Sequence, residues 1–157
     1  MKKVFLRYAT KDDAMFLFEL VNDRECRKNS LNSKEITYEE HIQWLNAVLC
    51  SETRCQYILM EEEKPIGQGR LERIQDGCRI SYSVIPQRRG CGYGKILLEL
   101  LNNAILEDFQ SCVYSYGEVL QKNIASQKIF EELGYKAEKL DTIFCYRKCV
   151  RQRVTGK

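Results

Sequence analysis

Ile85-Pro86-Gln87-Arg88-Arg89-Gly90-Cys91-Gly92-Tyr93-Gly94-Lys95 decides the reading of this 157-residue chain. Arg79–Ile85 ahead of it reads as a strand. Behind it, Leu97, Leu100, Leu101 and Ala104 fall at i, i+3, i+4 and i+7, the period of an amphipathic helix. A glycine-rich turn between strand and helix presents unpaired backbone N–H groups at a helix N-terminus, where the dipole also favours negative charge. Arg88, Arg89 and Lys95 add positive charge around it. The combination reads as a pyrophosphate cradle. The competing reading is a plain turn whose glycines only supply positive φ.

Spacing excludes two familiar phosphate loops. A Walker loop needs Gly-Lys followed by Ser or Thr, and Ile96 follows Lys95 here. Gly90-x-Gly92-x-Gly94 lacks the dinucleotide spacing and falls mid-chain rather than after a first strand. The stretch Gln87-Arg88-Arg89-Gly90-Cys91-Gly92 does fit Gln/Arg-x-x-Gly-x-Gly/Ala. It resembles the coenzyme A pyrophosphate loop of the GNAT superfamily of N-acetyltransferases.

The length suits one domain with a single substantial core, spanning 1–157 with a basic tail over about 151–157. No apolar run approaches a membrane span, and Met1-Lys2-Lys3-Val4 leads into strand-like sequence rather than a signal peptide. A cytoplasmic protein without membrane association is expected. The net charge of +3 is modest, much of its excess lying in the tail from Arg147 and around the glycine loop, and a nucleic-acid binder would show a stronger basic stripe with a known module behind it. Eight cysteines contain no C-x-x-C. Cys145 and Cys149, four apart on a strand, lie roughly 13 Å apart, too far to share a zinc ion. Reduced thiols and no metal are expected, with Cys91 in the loop the reactive candidate.

Hydrophobic patterning orders the elements β-α-α-β-β-β-α-β-α-β-β, a mixed, mostly antiparallel α/β sheet with helices on both faces. Thr37-Tyr38-Glu39-Glu40 reads as a capping box, with Tyr38, Ile42, Leu45 and Leu49 on the following helix's inner face. Asn22–Ile36 reads as a polar connection with room for a short helical turn. Glu62-Glu63-Lys64-Pro65 and Gln75-Asp76-Gly77 read as hairpin turns, and Gly134 as the stop of a helix over about Asn123–Leu133. The order is also that of the GNAT fold. Val119-Leu-Gln-Lys-Asn123-Ile-Ala-Ser126-Gln-Lys-Ile129-Phe130-Glu-Glu-Leu133-Gly134-Tyr135 resembles the family's V-x-x-x-N-x-x-S-x-x-x-Y-x-x-x-G-F segment, with two aromatic changes.

The resemblance implies acetyl-CoA as co-substrate and direct acetyl transfer to an amine. It assigns the cofactor to Gln87, Arg88, Arg89, Gly90, Cys91, Gly92, Tyr93, Gly94 and Lys95, and to Asn123 and Ser126. It also assigns carbonyl polarisation to amides around Val84 and Ile85, at a bulge in the fourth strand, beside a splay from the fifth. Glu118 is the candidate base, five residues before Asn123 as in the ribosomal-protein N-terminal acetyltransferases, with Tyr116 and Tyr114 on the same strand face as relays. Glu72 is the rival. Phe130 stands where many family members carry a tyrosine that protonates the thiolate, so Tyr93, Tyr114 or Tyr116 would have to substitute, or the thiolate leaves unaided. Asn22-Asp-x-x-x-x-Arg27…Ser30 and Glu40-His41-x-x-Trp44 resemble acetyltransferases acting on nucleotide-linked amino sugars, notably of pseudaminic-acid-type pathways. Arg27, Ser30, His41 and Trp44, together with Glu72, then contact the acceptor, with Arg27 meeting a phosphate. The small-molecule amine has two rivals: a protein N-terminus or other small amine, and a non-catalytic acyl-CoA sensor. A monomer and a homodimer are equally compatible with the sequence.

Overall fold

Tyr57, Ile58, Leu59 and Met60 follow one another along a single strand, and all four are buried. Successive strand side chains point to opposite faces, so a strand apolar on both sides has to be covered from both. The computed structural model, which describes residues 2–32 and 34–151, shows how. The strands are β1 (Val4–Tyr8), β2 (Arg54–Glu61), β3 (Lys64–Ile74), β4 (Gly77–Val84), β5 (Tyr114–Leu120), β6 (Lys136–Lys139) and β7 (Ile143–Cys149). The helices are α1 (Ala14–Val21), α2 (Arg24–Lys28), α3 (Tyr38–Leu49), α4 (Tyr93–Asp108) and α5 (Ile124–Glu132). Leu97, Leu98, Leu101 and Ile105 of α4 and Phe130 of α5 pack with Tyr57 and Leu59 on one face. Ala14 and Leu17 of α1 and Leu45 of α3 pack with Ile58 and Met60 on the other.

The sheet order is β1-β2-β3-β4-β5-β7-β6, and every neighbouring pair is antiparallel except β4–β5. This is the expected mixed sheet in the expected order. The polar connection does hold a helical turn, α2, N-capped by the Asp23 carboxylate on the amides of Glu25 and Cys26. Three local expectations shift. Only the Thr37 side chain of the capping box is engaged, on the Glu40 amide. The inner face of α3 is His41, Leu45 and Val48, one position round from that expected, which leaves Tyr38 partly exposed with its ring edge-on to Phe18. The first hairpin turns on Glu62 and Glu63 alone, with Glu62 at φ 53°, and Pro65 lies inside β3.

Arg151 donates to the carbonyls of Ile105, Phe109 and Gln110 and so closes the C-terminal end of α4. The rest of the basic tail lies outside the described residues. Among the described residues no helix is long and apolar enough to cross a membrane.

Candidate active site

β4 and β5 pair over only three positions, Gly77↔Tyr114, Cys78↔Ser115 and Arg79↔Tyr116. Beyond Arg79 the two strands part, and the expected splay opens between them. β4 meanwhile keeps a continuous register with β3 from Ile74↔Gly77 to Gly67↔Val84, and the Ile85 amide donates to the Ile66 carbonyl at 2.9 Å. The expected bulge in the fourth strand is therefore not there; the irregularity lies between β2 and β3, at Leu59/Met60. Antiparallel pairs alternate between bonded and non-bonded. With Ile85 spent on β3, the amides of Val84 and Tyr82 are the ones that face the gap. The Val84 carbonyl is taken by Arg89 Nε at 3.0 Å.

At the end of β4, Gly90 and Gly92 adopt φ 74° and 89°, values that favour glycine. Gly92 is the N-cap of α4, and it has no side chain to offer the helix. The amides of Tyr93, Gly94 and Lys95 are thus open donors at the dipole's positive end, which fits a pyrophosphate. The flanking cations are less free than the sequence suggests. Arg88 donates to Glu61 Oε1 through Nε (3.1 Å) and Nη2 (3.0 Å), Arg89 to Asp23 Oδ2 (2.7 Å), and Lys95 lies 3.8 Å from Glu132. Tyr93 spends its hydroxyl on Glu61. That hydroxyl, with Arg88, holds the Glu61 carboxyl below the usual carboxylate range. Gln87 and Cys91 are exposed, and the Cys91 thiol rests on the Arg89 carbonyl at 3.4 Å. What the loop offers an incoming anion without rearrangement is its backbone.

A cavity of about 600 Å³ runs from the gap across the sheet face beneath α1, α2 and α3. Its floor includes Arg70 of β3, Arg79 of β4 and Glu118 of β5; His41 and Trp44 of α3 roof it. Arg79 is bonded to Glu72 and lies 3.6 Å from Glu118 Oε1, so one guanidinium joins both candidate bases. Only Glu118 lines the cavity. Tyr114 and Tyr116 do share its strand face, yet neither lines the cavity: Tyr114 lies under the Arg147 guanidinium at 4.8 Å, with Tyr116 5.9 Å away. A relay through them would run outside the cavity.

Three acceptor residues are committed to the structure. Arg27 donates to the carbonyls of Val21 (2.6 Å), Asn32 (3.0 Å) and Lys34 (3.1 Å) and to the Ser30 hydroxyl (3.1 Å). Ser30 in turn donates a hydrogen bond to the Cys26 carbonyl at 2.8 Å. Together they fold the 22–36 connection, and Arg27 keeps no open fork for a phosphate. His41 is buried, with Nε2 3.1 Å from the Ala14 carbonyl, and burial pulls its pKa down. It steadies Trp44, whose ring stacks on it at 5.6 Å.

In the gap, Asn123 N-caps α5 by accepting from the Ser126 amide at 3.3 Å. Phe130 is a core residue, stacked on Tyr146 at 5.2 Å and edge-on to Tyr135 at 4.9 Å. The phenol that does reach this part of the cavity was not expected: Tyr82 of β4, its hydroxyl 2.7 Å from Ser126 Oγ, with its pKa pushed up to about 12 by burial. Its one sequence signal was its place in the strand running into the glycine loop. Arg70 and Arg79 carried no signal at all. Among the described residues no group of three or more His, Cys, Asp or Glu is placed to hold a metal ion.

A sheet parted beside a glycine-capped helix, with a cavity joining the parting to the opposite face, is the arrangement this α/β domain presents. Residues 3–136 match the acetyltransferase (GNAT) domain family, and the chain belongs to it. It is an N-acetyltransferase whose acetyl donor is acetyl-CoA. None of the curated protein sequences matches it. Several solved structures share its fold. Spermidine N-acetyltransferase from Vibrio cholerae, in complex with CoA and spermine, superposes with a TM-score of 0.80 at 16% identity, over 93% of this chain and 95% of that one. The aminoglycoside acetyltransferase AAC(6')-Ib, in complex with coenzyme A and kanamycin, gives 0.79 at 18% over 94% and 95%. RimL, a ribosomal L7/L12 alpha-N-protein acetyltransferase in complex with coenzyme A, gives 0.80 at 13% over 93% of each. Identities this low carry the fold and leave the acceptor open.

Proposed function

We propose that this cytoplasmic enzyme transfers acetyl directly to a primary amine of a small molecule, held beneath α1, α2 and α3 in a ternary complex with acetyl-CoA. The observation that carries the reading is continuity. One cavity connects Glu118 and Trp44 with Tyr82, Asn123 and Ser126 in the strand gap, so donor and acceptor can meet without a covalent acyl carrier. Acetyl-CoA supplies the activated thioester; the loop amides of Tyr93, Gly94 and Lys95 would hold its pyrophosphate.

An alkylammonium is almost wholly charged at neutral pH and has to lose a proton before it can attack. Glu118 takes that proton, directly or through one water. The open amide of Val84 polarises the carbonyl, a role the Ile85 amide cannot share. Tyr82, held by Ser126, replaces the tyrosine absent at position 130. Its raised pKa keeps it a hydrogen-bond donor throughout the neutral range, and a departing thiolate with a pKa of roughly 8.5 needs such a donor more than a strong acid.

The roof of α1, α2 and α3 over the cavity favours a compact acceptor such as an amino sugar, linked or not to a nucleotide, over an extended polypeptide N-terminus. Thiol release from acetyl-CoA, measured with nucleotide-linked 4-amino sugars, polyamines and short peptides, tests the reading. Acetyl-CoA binding without release for any amine would replace it with an acyl-CoA sensor.

A further inference from the structure

Arg70 is the cavity's unexplained charge. It stands on β3 opposite Ser81, with its guanidinium 5.2 Å from the Trp44 ring centroid and lining the cavity. The other two arginines there are satisfied: Arg27 by carbonyls, Arg79 by two carboxylates. Among the described residues, nothing accepts a hydrogen bond from Arg70. Gln56 and Gln68 on the same floor spend their amide nitrogens on each other and on Ser83, at 2.7 and 2.9 Å, while Gln56 Oε1, opposite Arg70 on β2, accepts no hydrogen bond among the described residues. Glu72 attracts Arg70 along the strand but is bonded to Arg79, and burial outweighs that attraction, lowering the Arg70 pKa.

A guanidinium carries five N–H donors in a fixed planar fork. Holding one largely out of water with those donors unmade is costly, and the Trp44 face offsets only part of the cost. The fork matches an oxyanion, which it binds bidentately. At the other end of the floor, Glu118 lies 3.6 Å from an Arg79 guanidinium that is also bonded to Glu72, which leaves the Glu118 carboxylate able to accept from an ammonium in the cavity. Arg70 and Glu118 are two strands apart, a backbone separation on the order of 10 Å.

We infer that the acceptor carries an oxyanion, a carboxylate or a phosphate, gripped by Arg70 against Trp44 while its amine faces Glu118. This rests on the acetyltransferase reading and narrows its substrate class to amines that also bear an anion. A simple polycation would set an ammonium against Arg70.

Matched acceptors test it: glucosamine against glucosamine 6-phosphate, and cadaverine against lysine. At least one oxyanion-bearing member is expected to exceed its counterpart without the oxyanion tenfold or more in kcat/KM, and the pair showing it identifies phosphate or carboxylate. Arg70→Gln should reduce that ratio by about 10- to 100-fold, the span of charge-assisted hydrogen bonds, and Arg70→Lys by less because the fork is lost but the charge stays. A second readout needs no turnover. Trp44 is the chain's only tryptophan, so its emission should change saturably with inorganic phosphate or acetate at constant ionic strength, and not in Arg70→Gln. A saturable, Arg70-dependent change without acetylation of any amine supports the anion site and overturns the transferase reading. Acetylation with ratios near one, unmoved by Arg70→Gln, overturns the anion site and leaves the transferase standing. Weaker acetyl-CoA binding in Arg70→Gln at an unchanged ratio reassigns Arg70 to the donor and also overturns it.

Discussion

Replacing Gly92 by alanine separates what the glycine loop does for the fold from what it does for the donor. Gly92 sits at φ 89°, and a Cβ built there meets no atom within 4 Å. The protein therefore has no steric objection, only a conformational one. An L-residue in the left-handed region costs about 1–2 kcal/mol, or roughly 2–8 °C in Tm for a domain of this size. Gly134 is the matched control. It has φ 86° with equally open surroundings, and it ends α5 in a Schellman motif, with Tyr135 N–H on the Phe130 carbonyl and Gly134 N–H on that of Glu131. Gly134→Ala should lose the same stability. Only at Gly92 would the methyl stand beside open amides, so calorimetry should show acetyl-CoA affinity down at least about tenfold, near 1.4 kcal/mol, in Gly92→Ala. In Gly134→Ala it should stay within about twofold. Equal affinity losses would mean that destabilisation alone explains them, and no loss in either would remove the pyrophosphate from the loop.

Glu118→Gln should lower kcat on the order of 10²-fold with acetyl-CoA affinity little changed, and the deficit should shrink as rising pH deprotonates the amine; full activity at pH 7 would hand the proton to solvent. Tyr82→Phe should lower kcat by about 10- to 100-fold, the value of a hydrogen bond to a charged atom, while the Phe variants of Tyr93, Tyr114 and Tyr116 stay near wild type; the opposite pattern refutes the substitution. Because the folded Tyr82 pKa of about 12 exceeds the unfolded value near 10, its contribution is intact below pH 10 and is lost as pH rises toward 12; denaturant titrations of Tyr82→Phe should show a shallower alkaline decline. Arg7 grips Asp13 with two 2.8 Å bonds and holds its carboxyl below the usual range, so that pair stabilises above pH 4 and fades as pH falls through the depressed value. Asp13→Asn should flatten the acid limb of a Tm-versus-pH curve; an unchanged limb would locate the acid sensitivity elsewhere.

Local grammar was legible in the sequence. The start of α5 near Asn123, its stop at Gly134 and the turn that Gly90 and Gly92 make between strand and helix are decided within a few residues, and the structure has them where the sequence puts them. What failed depended on long-range partners. Arg27 looked like a cation awaiting a ligand. A polar connection of this length carries its own carbonyls, which need donors once folded, and the guanidinium supplies them. Tyr114 and Tyr116 do share a face with Glu118, but which part of that face lies under the helices is set by where β4 and β5 part. Arg70, Arg79 and Glu118 come from three strands, and only sheet register makes neighbours of them. No spacing along the chain encodes that.

The three-rung junction of β4 and β5 means that the seven strands are not one rigid plate. β1–β4 form one ribbon and β5, β7 and β6 another, and the seam between them is as short as a tight hairpin. Ribbons joined this way can swing about the seam without breaking a rung in either. The width of the slot is thus held by what bridges the seam, the Arg79–Glu118 pair, the Tyr82–Ser126 hydrogen bond and the core beneath α4 and α5, rather than by the hydrogen-bonded ladders on either side.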